Sequence, residues 1–130
     1  MKVASSAIGS GEKLQILDEY KVPTIFNLNN KWHKINTHLD KALAARNVEI
    51  TKKRPADWYI NFLSGSSGGA CPFDVAKNKI GQQSPMNPRL FDFLQSQKPG
   101  RFGTLLMDFP DDALISTIIS LNEDIGPIGK

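Results

Sequence analysis

The sequence predicts an α/β arc of about three parallel βα units, a partial (βα) barrel and not a closed domain. Two apolar runs, Trp58-Tyr59-Ile60-Asn61-Phe62-Leu63 and Phe102-Gly103-Thr104-Leu105-Leu106-Met107, are almost continuous. Such runs suit strands covered on both faces, as in a parallel sheet. Each ends in polar residues, a Ser/Gly stretch from Ser64 in one case and Asp108 in the other, and the carboxyl ends of parallel strands are where ligands bind. Segments of helical period follow the strands, so the order is βαβαβα with right-handed crossovers. Three such strands leave two open edges and an apolar inner face with nothing opposite it.

Residues 1–13 read as an N-terminal loop, since the apolar stretch around Val3-Ala4 is too short and too polar for a secretory signal. The main unit, residues 14–122, begins with the strand Leu14-Gln15-Ile16-Leu17, which stops at Asp18-Glu19-Tyr20. Pro23 bars an immediate helix. After a turn at residues 27–30, Trp32, Ile35, Leu39, Ala42 and Leu43 recur at helical spacing and predict an amphipathic helix over 30–46 whose apolar face packs on the sheet. Residues 47–55 form a linker to the strand at 58–63, and the Ser/Gly loop after that strand lacks the lysine and spacing of a P-loop and reads as a flexible connector.

Asn87-Pro88 looks like an N-cap followed by proline at the first helical position, with Leu90, Phe91 and Leu94 as the buried stripe. Pro99-Gly100 ends that helix, and a strand over 101–108 comes next. The last helix is expected from Pro110, with Asp111 and Asp112 favouring its dipole and Leu114, Ile115, Ile118 and Ile119 packing inward. Residues 123–130, containing Gly126-Pro127 and Gly129, read as a flexible tail.

The chain's 130 residues leave room for one modest core. Its 16 basic and 13 acidic residues give a net charge of +3, too small and dispersed for nucleic acid as principal partner. Lys52-Lys53-Arg54 is one tight basic cluster, readable as a peripheral anchor for anionic lipid or as a solvated loop. No run reaches transmembrane length. Cys71 is single and has neither His nor Lys beside it in sequence, which favours a structural thiol over a nucleophile. His33 and His38 are five apart, so on a helix they diverge by about 140° and share no ligand or proton path. Both are expected to face solvent.

The string Tyr59-Ile60-Asn61-Phe62-Leu63-Ser64-Gly65-Ser66-Ser67-Gly68-Gly69, the strand Gly103-Thr104-Leu105-Leu106-Met107-Asp108-Phe109 and the helix end Ile118-Ile119-Ser120-Leu121-Asn122 resemble the C-terminal part of the catalytic domain of bacterial-type phosphatidylinositol-specific phospholipase C. Leu14-Gln15-Ile16-Leu17-Asp18-Glu19-Tyr20-Lys21-Val22 is similar to the strand and loop preceding that part. The resemblance implies a distorted, incompletely closed TIM-like barrel of phospholipase C-like phosphodiesterase fold that acts on phosphatidylinositol at a membrane surface without metal or other cofactor. One histidine acts as general base on the inositol 2-hydroxyl and a second as general acid on the leaving diacylglycerol. It further implies that Asp108 hydrogen-bonds the general base, and that Asp18 and Tyr20 contact the inositol ring.

In that family both catalytic histidines, a second carboxylate and the phosphate-binding arginine belong to the N-terminal half of the domain, and this chain matches the C-terminal half. The expectation is therefore a phosphoric diester hydrolase relative, tied to lipid metabolism, that is inactive alone and completed by a complementary N-terminal half. The alternatives are a non-catalytic inositol or head-group binding module, or a truncated fragment with an uncovered apolar face. Relatives are often secreted; the residues themselves assign no compartment.

Overall fold

The computed structural model describes residues 3–8, 12–52 and 57–123. Strand β1 (Val3–Ile8) pairs antiparallel with β2 (Glu12–Asp18), with Val3 opposite Leu17 and Ile8 opposite Glu12. Strands β3 (Trp58–Phe62) and β4 (Thr104–Leu106) continue the sheet in the order β1-β2-β3-β4, and β2, β3 and β4 are parallel. The expected N-terminal loop is thus corrected: residues 3–8 supply the outer edge of β2 with a ladder partner, so its backbone groups are not left unpaired. The parallel arc of three βα units is present as predicted.

Helix α1 (Leu28–Lys52) connects β2 to β3 and is longer than the 30–46 expected. A 3-10 turn, Ile25–Asn27, leads into it, capped by Thr24: its Oγ1 accepts from the Phe26 N–H at 3.3 Å, while Asn27 Oδ1 accepts from the Thr24 N–H at 3.1 Å. This reciprocal box starts the helical run before the asparagines that read as a turn. At the other end, residues 47–52 contain no Gly or Pro, so nothing stops the helix where a linker was expected. Lys53, Arg54 and the 124–130 part of the expected tail lie outside the described residues.

Between β3 and β4 stand α2 (Pro72–Ala76), which the sequence reading missed, and α3 (Met86–Gln95). Pro85, not Asn87, is the N-cap of α3; Asn87 lies inside the helix and is buried. After β4, α4 (Asp112–Glu123) is capped by Asp111, whose Oδ1 accepts from the Leu114 N–H at 2.8 Å. β4 is shorter than the 101–108 predicted. Gly103 enters it at φ +79°, where a Cβ would lie 2.3 Å from the Tyr59 carbonyl oxygen, so the backbone meets β3 through a residue that only glycine satisfies.

The core lies between the sheet and the helices. Leu17 and Leu63 pack with Ile35 and Leu39 of α1, Leu90 and Leu94 of α3, and Leu114 and Leu121 of α4. On the opposite face, the register aligns Leu14 with Trp58, Ile16 with Ile60, Ile60 with Thr104, and Phe62 with Leu106. Alternation puts these residues on one side of the pleat. None of them joins the core, and Trp58 is 43% and Leu106 40% exposed. Leu14, Ile16, Ile60 and Phe62 are only partly buried, so this face keeps contact with solvent, as expected for the inner wall of a barrel arc.

Candidate functional site at the carboxyl edge of the sheet

Asp18 closes β2 opposite Phe62, the last residue of β3, and is exposed. Beyond it the chain turns over the strand ends, and the Ser/Gly loop leaving β3 meets it there. The Ser66 N–H donates to the Tyr20 carbonyl at 2.9 Å, the Val22 N–H donates to the Ser66 carbonyl at 3.4 Å, and Ser66 Oγ donates to the Tyr20 hydroxyl at 3.0 Å. Ser67 Oγ bridges the carbonyls of Val22 and Pro23. The loop is therefore pinned strand-like to 20–23, in place of the flexible connector expected. Gly65 permits the approach, since a Cβ there would stand 2.8 Å from the Tyr20 carbonyl oxygen. Tyr20 is half exposed, and its hydroxyl, accepting from Ser66, keeps its own proton for a ligand oxygen.

Asp108 follows β4 on the same edge and is partly buried. Its carboxylate takes no hydrogen bond from the described residues, and the cap of the following helix is Asp111. Its backbone is held instead: Asn87 Nδ2 donates to the carbonyls of Asp108 at 2.8 Å and Phe109 at 3.1 Å. Phe109 stands at φ +49° and its ring meets Phe73 edge to face at 5.4 Å. The structure thus brings Asp18, Tyr20 and Asp108 to one rim but does not make them touch. β3 separates β2 from β4, so the strands that carry these two residues run about 9–10 Å apart at two strand spacings.

Lys31 is the residue that sequence reasoning missed. It is 2% exposed, and its Nζ donates to the Glu19 carbonyl at 2.7 Å and the Phe62 carbonyl at 3.3 Å, tying together the ends of β2 and β3. Burial pushes its pKa down to about 8, against the opposing attraction of Glu19 and Asp18. The available signal was its place four residues before Ile35 and eight before Leu39, on the apolar stripe of α1. Lys34 pairs with the Glu19 carboxylate at 2.7 Å, and the hydrogen bond holds that carboxyl below its ordinary value.

The histidines divide. His33 is exposed, and lies about 200° round the helix from Ile35. His38 is not: it falls three residues after Ile35 on the buried stripe and is 5% exposed. Its ring meets Tyr59 edge to face at 5.1 Å, at the amino-terminal end of β3, and neither ring nitrogen has a partner. Burial lowers its pKa, so the imidazole is held neutral. Cys71 is exposed and its Sγ donates to Asp74 Oδ2 at 3.1 Å.

These features define a class: an open arc of a (βα) barrel with polar groups gathered at the carboxyl ends of its parallel strands. No family model and no curated protein matches the sequence. Solved structures do. The phosphatidylinositol-specific phospholipase C from Staphylococcus aureus, as a double mutant, superposes with a TM-score of 0.67 at 22% identity over 93% of this chain and 37% of that one. A single mutant of the same enzyme gives 0.66 at 24% identity over 93% and 38%, and a form studied for modulation of its membrane binding gives 0.65 at 24%. The likeness establishes the fold. This chain spans little more than a third of those structures, consistent with the C-terminal part that the residue strings resemble.

Proposed function

We propose that this chain is one wall of a phosphatidylinositol-cleaving phosphodiesterase, supplying Asp18 and Tyr20 to the inositol ring and Asp108 to orient a general-base histidine donated by a complementary N-terminal half. The observation that carries this reading is the convergence of Asp18, Tyr20 and an unpaired Asp108 carboxylate on the carboxyl edge of a phospholipase C-like parallel sheet.

The chemistry follows from the geometry of that rim. A carboxylate and a phenol that accepts its own hydrogen bond from Ser66 are suited to a polyol: Asp18 accepts from ring hydroxyls, and Tyr20 donates to one while its ring packs on the sugar face. An aspartate at a strand end fixes the tautomer and stabilises the cation of an imidazole that takes a proton from the attacking 2-hydroxyl. The chain's own imidazoles do not fill that role, His38 being sealed against Tyr59 and His33 facing outward. The inner apolar face of Leu14, Ile16, Ile60 and Phe62 is then the wall that the complementary half covers, and the rim is what meets a membrane surface carrying the lipid.

Hydrolysis of phosphatidylinositol in mixed micelles tests the reading. The chain alone should release no inositol phosphate, and mixing it with a separately expressed N-terminal half from a phospholipase C of this fold should restore turnover that Asp108→Ala abolishes. Turnover by the chain alone would overturn it, as would restored turnover indifferent to Asp108. Saturable myo-inositol binding lost in Asp18→Ala but without any complementation would instead mark a head-group binding module.

A further inference from the structure

Behind the Asp18–Tyr20 segment, at the head of α1, lies a cavity of about 150 Å³ lined in part by Glu19, Lys21, Asn27, Asn30 and Lys31. Its walls are rich in uncommitted donors. Lys31 spends two hydrogens on backbone carbonyls and makes no ion pair among the described residues, so the buried ammonium keeps one donor and is answered only at a distance by the carboxylates of Glu19 and Asp18. The Lys21 ammonium has no side-chain partner among the described residues. Asn27 Oδ1 accepts from both the N–H and the Oγ1 of Thr24, at 3.1 and 3.0 Å, which assigns the amide and leaves its nitrogen's hydrogens unspent. The one carboxylate in the wall, Glu19, is engaged by Lys34.

We propose that this cavity binds a small tetrahedral oxyanion, a phosphate group, held by Lys31 and Lys21 with the carboxamides of Asn27 and Asn30. A buried cation with no carboxylate in direct contact is costly, and an anion placed beside it offsets that cost while satisfying the spare donors. The space is ample for a phosphate group, and a phosphomonoester would seat its phosphate among these donors with its alcohol toward the mouth. The site is separate from the reactive phosphodiester of the proposed function and stands whether or not the chain cleaves lipid.

Thermal denaturation and NMR of the full chain in chloride buffer test it, with inorganic phosphate and inositol 1-phosphate as probes. Both should stabilise saturably, and the ε-methylene of Lys31 should titrate at higher pH in their presence. Its other charged neighbours are Glu19, Asp18, Lys34 and Lys21, of which Glu19 and Lys21 line the same cavity. Lys31→Met should weaken binding at least about tenfold, the loss of one charged contact of roughly 1.4 kcal/mol. Lys21→Ala with Asn30→Ala, at exposed positions, keeps the test valid if Lys31→Met fails to fold, and should weaken binding several-fold. Tighter binding of inositol 1-phosphate than of phosphate identifies a phosphomonoester as the occupant; equal binding identifies free phosphate. Absence of saturable binding, or equal affinity in the wild type and the double variant, would overturn the proposal.

Discussion

The carboxamide of Asn87, on α3, holds the backbone of Asp108, just past β4, by donating to its carbonyl oxygen at 2.8 Å and to that of Phe109 at 3.1 Å. A turn containing a bulky residue at positive φ is thereby fixed by a distant helix, and with it the direction in which the Asp108 carboxylate leaves the strand.

Asn87→Ala should therefore destabilise the chain by about 1–3 kcal/mol, because it strands two carbonyls in a partly buried site. Urea unfolding measures the loss. Asn87→Asp should be no better, since a carboxylate cannot donate to either oxygen.

Stability should depend on His38 at mildly acid pH. Its pKa in the folded chain lies below the ordinary 6.5, so the unfolded chain binds the proton more readily and stability falls as pH drops below about 6.5. Melting temperatures across that range should show the fall in the wild type and a smaller one in His38→Leu, which fills the same apolar slot without a titrating ring.

Lys31 should act at the alkaline end. With its pKa near 8 when folded against 10.5 ordinarily, the unfolded chain holds the proton that the folded chain releases, so stability rises between those values. The full difference amounts to about 3 kcal/mol in phosphate-free buffer. Denaturant midpoints that stay flat from pH 8 to 10.5 would contradict a buried ammonium whose burial outweighs the attraction of Glu19 and Asp18.

Gly103→Ala should cost more than about 1 kcal/mol, since it combines an unfavourable positive φ with a clash against the Tyr59 backbone. The damage should spread across the β3–β4 pairing. Hydrogen exchange at the Leu63 amide, bonded to the Leu106 carbonyl at 2.8 Å, reports it.

The open inner wall predicts binding of a hydrophobic dye by the folded chain. Leu106→Lys, at an exposed position of β4, should reduce that fluorescence with little effect on the unfolding midpoint.

Much of this arrangement was legible from local pattern. The apolar runs at Trp58-Tyr59-Ile60 and Thr104-Leu105-Leu106, the helical period of Trp32, Ile35 and Leu39, and the proline and glycine breaks determined the order of the three βα units and their parallel arc, because each signal operates within a few residues of chain. The position of Asp18 and Asp108 at strand ends follows from the same periods. Tertiary structure alone decided the rest. Val3–Ile8 became a strand only because β2 offered an unpaired edge, the Ser/Gly loop became ordered only by meeting Tyr20 and Val22, and Lys31 and His38 were drawn inside by the stripe they share with Ile35. Those outcomes depend on contacts between residues far apart in sequence, whose burial and hydrogen bonding override what each residue prefers by itself.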